Sequence, residues 1–323
     1  MPHDPGRSAA SVYPSPSAVS NPPAIERHPA MTHRLTIVDV FAERRNGGNP
    51  LAVVVGTDPI PDATMQRIAT ETDYSETTFV TAVPEANGGY AVRIFTPARE
   101  IDFAGHPLLG TAWVIRQQLA ANAAGPIRLN LAMGQVAVAF EPAHDGDAVV
   151  WFEAPPMKLG PVCAPEPMAR ALGISPDDID TRWPLQQVSA GTAAMIVPLR
   201  SLAALRRSRL DLAAYAPLAA RGFPPLVYLF CSETLGRFSD FSARFFFEAN
   251  GVREDPATGN GAAFLGAWLL EHRKYTHLSL RIEQGHEMNR PSLVMLRAQA
   301  AAGVRAVQVG GRVILASQGE LRL

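Results

Sequence analysis

The sequence predicts an α+β fold built from two copies of a unit in which strands enclose one buried helix. Two observations lead to this prediction: strand-like runs dominate the chain, and two segments that each contain a wholly apolar helix resemble each other. A helix that is apolar on every side must be enclosed, and a curved sheet of the surrounding strands can enclose it. The predicted strands are LTIVDVF, LAVVV, TTFVTAV, YAVRIFT, QVAVAF, DAVVWF, AAMIVPL, PLVYLF, FSARFFF, LSLRIE, LVMLRAQ and RVILAS.

Shorter helices are predicted between these strands. Asp62 can cap the segment ATMQRIATE, because an aspartate at a helix start accepts hydrogen bonds from free backbone amides. The segments SLAALRR and LAAYAPLAA supply further helical pieces. Helices are therefore few, and strands form most of the fold.

Composition and charge exclude several classes of protein. The chain has 323 residues, enough for two domains of ordinary size. Its formal net charge is −1 and the charges are spread along the chain, so we expect neither nucleic acid nor an anionic membrane as a partner. No apolar stretch approaches the roughly 20 residues of a transmembrane helix, which predicts a cytoplasmic protein. Cys163 and Cys231 have no CxxC partner, which argues against disulfides and a structural zinc site.

Residues 1–31 are predicted to form a disordered leader. The segment is rich in Pro, Ser and Ala and has almost no large apolar side chains, so burial cannot offset the entropic cost of folding. Met31 stands directly before the first strand-like run, so translation could begin there or at Met1.

An internal repeat relates the two apolar helices. The first copy is FTPAREIDFAGHPLLGTAWVI from Phe95, and the second is FEANGVREDPATGNGAAFLGAWLL from Phe247. Each copy has a strand ending in Phe, then Arg-Glu, an Asp, a loop with a Gly, and an apolar helix containing Ala-Trp. The matched pairs are Asp102 with Asp255, Gly105 with Gly259, and Ala112-Trp113 with Ala267-Trp268. Chance likeness of two apolar helices is the alternative, and the matched Arg-Glu, Asp and Gly speak against it.

Both helix N-termini are predicted to form small positive sites. Pro107 suits the first helical position, where its missing N–H costs nothing, and the neighbouring amides stay free to bind a ligand. Arg116 and Arg273 stand near the far ends of the two helices, where cations favour the negative pole of the dipole. If both N-termini reach one cleft, they would hold an anion such as a carboxylate without a metal.

Five motifs in order resemble the PhzF family of phenazine-biosynthesis proteins, whose fold is shared with diaminopimelate epimerase and proline racemase. The motifs are DVFAERRNGGNPLAVV, TDYSETTFV, RIFTPAREIDFAGHPLLGTA, REDPATGNGAA and IEQGHEMNRPS. The resemblance implies two pseudo-symmetric lobes, each a β-barrel-like sheet around a central helix, with the active site between them. It implies an N-terminal lobe over residues 32–150, a C-terminal lobe over 151–310, and a last strand at about 311–323 that returns to the first lobe. Relatives commonly pair, so it also implies a homodimer.

The resemblance assigns the central chemical role to Glu76. In the family, the glutamate of the Ser-Glu-Thr motif is the general acid/base. Read alone, Glu76 would be an exposed carboxylate before a strand. A carboxyl group held in a closed apolar cleft has a raised pKa, so it can take a proton from carbon and return one near neutral pH.

Further residues match family positions that contact the substrate. The resemblance implies that His106 and Asp255 polarise or orient the substrate and assist proton movement. It places Gly105, His106, Gly259 and Asn260 in the substrate-binding turns. Read alone, His106 would be a helix-capping residue and Asp255 part of a capping turn, and capping could coexist with catalysis.

Two positions separate this chain from the racemases of the same fold. Those enzymes use a pair of cysteines, each one residue before the loop glycine, and the equivalent residues here are Ala104 and Thr258. Neither side chain can take a proton from carbon, which excludes a two-thiol racemase. The hypothesis is therefore a cofactor-independent, metal-free isomerase in which Glu76 removes a proton from a small carboxylated substrate and returns it on the same face.

Two departures from the family pattern affect the substrate prediction. Asn260 stands where many relatives have Ser, and Asn289 stands where a Gly often precedes Arg-Pro-Ser. Asn can still donate hydrogen bonds, so we expect anion binding to persist while the shape of the accepted substrate changes. Two alternatives stay open: a non-catalytic binding or scaffolding protein, and an epimerase that pairs Glu76 with a second, non-cysteine base. The joint presence of Glu76, His106 and Asp255 disfavours the first.

Overall fold

The computed structural model of this chain describes residues 32–143, 147–247, 254–301 and 304–323. The predicted leader, residues 1–31, and Arg253 of the second repeat copy lie outside the described residues. The predicted α+β class is confirmed, with strands as the main component. The helices are α1 Asp62–Thr72, α2 Gly105–Gln118, α3 Pro165–Leu172, α4 Leu202–Arg207, α5 Leu212–Ala219 and α6 Gly259–His272. The strands are β1 Thr32–Val40, β2 Asn49–Gly56, β3 Thr77–Thr81, β4 Tyr90–Phe95, β5 Glu100–Ile101, β6 Ile127–Leu131, β7 Gly134–Pro142, β8 Ala148–Glu153, β9 Lys158–Cys163, β10 Leu185–Ala190, β11 Thr192–Pro198, β12 Val227–Cys231, β13 Phe241–Phe246, β14 Glu254–Asp255, β15 His277–Gln284, β16 Ser292–Ala301, β17 Val304–Gly311 and β18 Val313–Arg322.

Backbone hydrogen bonds join these strands into one extended sheet. From one end its order is β18-β1-β2-β3-β4-β6-β7-β8, and it continues through β17-β16-β15-β13-β12-β11-β10-β9. The short strands β5 and β14 add to the ends of β4 and β13. The last strand, β18, pairs antiparallel with β1, with Val313 opposite Val40. The division into two lobes at residue 150 stays a prediction. Strand β8 contains residue 150 and pairs with β7 on one side and with β17 on the other.

The two apolar helices are the buried centres of the fold. Helix α2 packs against β1, β2, β6 and β8, and α6 packs against β10, β11, β16 and β17. Strand β2 is apolar on both faces: Val53 joins the cluster around α2, whereas the next residue, Val54, packs under α1. Burial on both faces explains why β2, like β12 and β13, is a continuous apolar run and not an alternating one. None of the described helices is long and apolar enough to span a membrane.

The two repeat copies adopt the same local structure. β5 ends at Ile101 and α2 begins at Gly105, while β14 ends at Asp255 and α6 begins at Gly259. Both helices contain 14 residues. Counted from the helix start, the residue equivalent to Asp255 is Ile101, so the pairing of Asp102 with Asp255 is offset by one residue. This offset leaves Asp102 exposed, whereas Asp255 is buried.

The start of α2 differs from its prediction. The helix begins at Gly105, so Pro107 is its third residue and not its first. The first four N–H groups of a helix have no intrahelical partner, so a proline at the third position still sacrifices no hydrogen bond.

Candidate active site

The N-termini of α2 and α6 meet at one point. A Cβ atom built on Gly105 would lie 3.1 Å from the Cα of Gly259 and 3.2 Å from the backbone N of Asn260. Neither N-cap side chain, Ala104 or Thr258, caps its helix, and neither first turn contains an acidic residue. The positive poles of two helix dipoles therefore converge, and no capping side chain occupies the backbone amides of either first turn. Such a place favours the binding of an anion.

Glu76 is buried beside this point. The chain turns at Asp73, whose φ of 55° ends α1, and Glu76 immediately precedes β3. The side chain is buried, and its Oε2 lies 3.5 Å from Nδ1 of His106. Burial, and then the nearby charge of Asp255, raises the pKa of Glu76 well above its usual range. No hydrogen-bond donor among the described residues reaches Oε2, so nothing offsets this rise at that atom.

His106 is the second residue of α2 and is also buried. Burial lowers its pKa to about 3, against a smaller opposing effect from a backbone hydrogen bond with Pro50. The imidazole is therefore neutral near pH 7. Its Nδ1 lies 3.3 Å from Nδ2 of Asn49, and its Nε2 is buried with no partner in the described part of the chain.

Asp255, the last residue of β14, accepts three side-chain hydrogen bonds. Its Oδ1 accepts from Nδ2 of Asn49 at 2.7 Å and from Oγ of Ser75 at 3.2 Å, and its Oδ2 accepts from Oγ1 of Thr258 at 2.5 Å. Burial raises the pKa of Asp255 to about 6, and these hydrogen bonds oppose the rise. Burial thus raises the pKa of both carboxyls, and the three hydrogen bonds favour the charged form at Asp255 but not at Glu76.

A groove of about 270 Å³ opens next to these groups. Its lining includes Pro50, Ser75 and Pro256, which neighbour Asn49, Glu76 and Asp255 along the chain, so the groove lies close to the buried side chains. No cluster of His, Cys, Asp or Glu suited to a metal ion is found among the residues that the structure describes.

Comparison with known proteins identifies the family. Residues 38–319 match the sequence profile of PhzC-PhzF, described as phenazine biosynthesis-like protein. The chain belongs to this family. The resemblance read from the five sequence motifs is thereby confirmed.

Each of the following relatives and solved structures matches 90% of this chain. An uncharacterized isomerase of Mesorhizobium japonicum is 34% identical over 304 residues, which is 90% of this chain and 99% of that protein. The trans-2,3-dihydro-3-hydroxyanthranilate isomerase of Pseudomonas aeruginosa is 34% identical over 294 residues, covering 90% of this chain and 100% of that enzyme. A solved PhzF-family structure from Bacillus anthracis shares the fold, with a TM-score of 0.82 at 22% identity, covering 90% of this chain and 99% of that one.

The structure brings all the predicted site residues together and adds two amides that sequence reasoning missed. Asn49 donates to Asp255, and Gln284 donates from Nε2 to the backbone oxygen of Asp255 at 2.7 Å and to Oγ1 of Thr258 at 3.1 Å. Both amides stand inside motifs that carry the family resemblance, NGGNP and IEQG. Their position in those motifs was the available signal. Their roles could not be read from it, because each partner is distant in sequence.

Arg290, in the last of the five motifs, forms hydrogen bonds with residues of the first motif. Its Nε donates to the backbone oxygen of Gly48 at 2.7 Å, and its Nη2 donates to Oδ1 of Asp39 at 2.5 Å. The preceding Asn289 has a φ of 56°, in the left-handed region. Glycine and asparagine are the residues that adopt this conformation most readily, so Asn289 can take the place of the family's Gly without moving Arg290.

Proposed function

We propose that this PhzC-PhzF family member is a cofactor-independent isomerase that moves one proton within a small carboxylated substrate. One observation carries the proposal: a buried carboxyl with a raised pKa, Glu76, lies beside His106 and the hydrogen-bonded Asp255 where two helix N-termini converge. The family membership and the relatives named as isomerases support it.

The substrate carboxylate binds at the first turns of α2 and α6. The amides at Gly105, Gly259 and Asn260 donate to it, and the two dipoles stabilise its charge. Binding at these amides needs no basic side chain. The carbon skeleton of the substrate then lies against Glu76, and Nε2 of His106, which has no partner among the described residues, is left for a polar group of the substrate.

Glu76 serves as the single acid/base. Its ionised form removes a proton from one substrate carbon, the C–H electron pair becomes part of a shifted double bond, and the new carboxyl proton is returned to another carbon. A raised pKa makes the carboxylate a stronger base and keeps the acid form populated near neutral pH, so both halves of the transfer become easier. His106 and Asp255 hold the substrate and the charge in place.

We also infer that the repeated units form two pseudo-symmetric lobes with this site between them, and that the protein is a homodimer. The matching arrangement of β4, β5 and α2 with β13, β14 and α6 supports the two lobes. The homodimer rests on the family resemblance. Size-exclusion chromatography with light scattering tests it, and a monomer at micromolar concentration would contradict it.

The proposed activity can be tested by deuterium exchange. Wild-type protein, Glu76→Gln and the control Glu71→Gln on the exposed side of α1 are incubated in deuterated water with carboxylated cyclic and unsaturated candidates, including trans-2,3-dihydro-3-hydroxyanthranilate. NMR and mass spectrometry should show a shifted double bond with wild type and Glu71→Gln but not with Glu76→Gln, and deuterium enters the product wherever the proton on Glu76 exchanges with solvent before its return. Equal conversion with Glu76→Gln would overturn the role of Glu76.

The two alternatives from the sequence predict different outcomes of the same experiment. Exchange at a stereocentre with inversion and no movement of a double bond would favour an epimerase with a second base. Carboxylate binding to wild-type protein with neither conversion nor exchange of any candidate would favour a binding protein.

A further inference from the structure

We propose that Tyr228 is a substrate-binding residue whose hydroxyl donates a hydrogen bond to the substrate carboxylate at the first turn of α6. The inference rests on the proposed function, because it adds a side-chain donor to a carboxylate site otherwise formed by backbone amides. Tyr228 is the second residue of β12 and is fully buried. Its hydroxyl oxygen has no hydrogen-bond partner among the residues that the structure describes.

Tyr228 faces the same side of the sheet as Asp255. It pairs with Phe245 of β13, and Phe245 pairs in turn with Asp255 of β14. Residues directly opposite each other on neighbouring strands direct their side chains to the same face of a sheet. The side chain of Asp255 reaches Asn49 and Ser75 in the candidate site. The side chain of Tyr228 therefore lies on the face of the sheet that carries this site.

The ring of Tyr228 lies over the first turn of α6. A Cβ atom built on Gly261, the third residue of that helix, would lie 2.4 Å from Cδ2 and 2.6 Å from Cε2 of the tyrosine ring. In a helix the Cα–Cβ bond is tilted toward the N-terminus, so the ring occupies the space over the turn that precedes Gly261. The same Cβ atom would lie 3.4 Å from Cβ of the N-cap residue Thr258, so the edge of the ring is beside the start of the helix.

Tyr228 has a counterpart in the first repeat copy. Thr78 of β3 pairs with Ile94 of β4, and Ile94 pairs with Ile101 of β5. Ile101 is the residue equivalent to Asp255, which ends the row of paired residues that begins at Tyr228. Thr78 and Tyr228 therefore occupy equivalent positions in the two copies.

The two equivalent hydroxyls differ in their partners. Oγ1 of Thr78 lies within hydrogen-bond distance of Oγ1 of Thr111, the seventh residue of α2, at 2.8 Å. The seventh residue of α6 is Leu265, whose side chain has no polar group. The second copy thus has a larger side chain that covers the start of its helix, and the helix offers no hydroxyl partner at the position equivalent to Thr111.

A second buried tyrosine shows what a hydroxyl with a structural role requires. Tyr215 of α5 is also buried, and its hydroxyl donates to the backbone oxygen of Pro224 at 2.6 Å. A buried hydroxyl without such a partner destabilises a fold, because it has given up its hydrogen bonds with water. Phenylalanine would fill the position of Tyr228 without that cost, so the hydroxyl serves a ligand and not the fold. Burial also raises the pKa of Tyr228, so the hydroxyl keeps its proton and can donate it to a carboxylate in a hydrogen bond.

Tyr228→Phe and Tyr215→Phe are a matched pair of variants, because each removes one buried hydroxyl and keeps the ring. Benzoate and the carboxylated candidates of the deuterium-exchange experiment are the probes. Calorimetry measures their Kd, and urea unfolding without a probe measures stability. Tyr228→Phe should bind carboxylate on the order of 10-fold more weakly than wild type, because a hydrogen bond to a charged group is lost, and should unfold at the same or a higher urea concentration. Tyr215→Phe should keep the wild-type Kd and unfold at a lower urea concentration.

NMR of the wild-type protein tests the contact itself. Protein labelled with ¹³C at Cζ of tyrosine is titrated with the same probes, and the Tyr228 signal is assigned by its loss in Tyr228→Phe. Cζ carries the hydroxyl, so its chemical shift responds when that hydroxyl begins to donate a hydrogen bond. The Tyr228 signal should move as a carboxylate binds, and the Tyr215 signal should not.

Three results would overturn the role of Tyr228. They are a wild-type Kd in Tyr228→Phe, a Tyr228 signal that does not move on binding, and a loss of stability in Tyr228→Phe as large as in Tyr215→Phe. The last would mean that the hydroxyl has a partner within the protein. Failure of wild type to bind any of the carboxylates would instead contradict the proposed function, on which the role of Tyr228 depends.

Discussion

Gly105 and Gly259 stand so close that a Cβ atom at either position would be in tighter than ordinary van der Waals contact with the other glycine. A Cβ on Gly105 would lie 3.1 Å from the Cα of Gly259, and a Cβ on Gly259 would lie 3.3 Å from the Cα of Gly105. Their neighbours here are mostly backbone atoms, which cannot turn aside as a flexible side chain can. The convergence of the two helix N-termini therefore depends on these glycines.

We expect Gly105→Ala to push α2 and α6 apart. Alanine favours a helix by about 1 kcal/mol over glycine, but overpacking against backbone costs about 1–3 kcal/mol, so the net stability should fall. Exchange activity should fall further, because the amides that bind the carboxylate separate. Urea unfolding and the exchange assay measure the two effects. Gly125→Ala, which meets nothing within 4 Å, is the control, and equal behaviour of the two variants would contradict the prediction.

A second prediction concerns the coupling of the two buried carboxyls. The charge of Asp255 contributes to the raised pKa of Glu76, after burial itself. Asp255→Asn removes that charge, so the pKa of Glu76 should fall, although burial should keep it above its ordinary value. Titration of a ¹³C-labelled Glu76 carboxyl by NMR measures this, with the exposed Asp102→Asn as control. A pKa of Glu76 that stays the same or rises in Asp255→Asn would show that the charge of Asp255 does not act on it.

The strands that the sequence predicted and those that it did not predict differ in their apolar content. Every predicted run became a strand: β2, β3, β12 and β13 are buried on both faces, and β7 and β18 keep apolar residues although they are largely exposed. The missed strands include β9, which contains Gly160 and Pro161, and β10, which is largely polar. These two pair with each other at one end of the sheet, where hydrogen bonding rather than burial defines a strand. β5 and β14 are two residues long, too short for any pattern.

The site residues likewise divide into those that the sequence predicts and those that it does not. Glu76, His106 and Asp255 were predicted because they match a family motif, and the motif repeat located the two helix starts. The repeat alone would have treated Asp102 as equal to Asp255, yet a one-residue offset leaves Asp102 exposed. The role of Asn49 could not be predicted from the sequence, because its amide donates a hydrogen bond to Asp255, a residue 206 positions away along the chain.

A third prediction concerns the departure at Asn289. Its left-handed φ of 56° costs most residues with a Cβ about 1–2 kcal/mol, while glycine pays none of this and asparagine little. Asn289→Gly should therefore keep wild-type stability, and Asn289→Ala should lose about 1 kcal/mol in urea unfolding. A loss in Asn289→Gly as large as in Asn289→Ala would mean that the side chain of Asn289, and not its backbone conformation, is what the fold requires.

The last prediction concerns the effect of Glu76 on stability. Its folded-state pKa is raised, so its stabilising protonation is fully present below the unfolded pKa and is lost as the pH rises through the folded value. Gln has no proton to lose, so Glu76→Gln should be more stable than wild type by about 1 kcal/mol near neutral pH. The difference should be larger at pH 8 than at pH 5.

Urea unfolding of wild type, Glu76→Gln and the exposed Glu71→Gln at both pH values tests this expectation. The advantage of Glu76→Gln should grow with pH, while Glu71→Gln should follow wild type. Gln at this position keeps the volume of the side chain and removes only the ionisable group, so packing cannot produce a pH-dependent difference. An advantage that shrinks as the pH rises would mean that the carboxylate of Glu76 is stabilised in the folded protein, which contradicts its assignment as a proton carrier with a raised pKa.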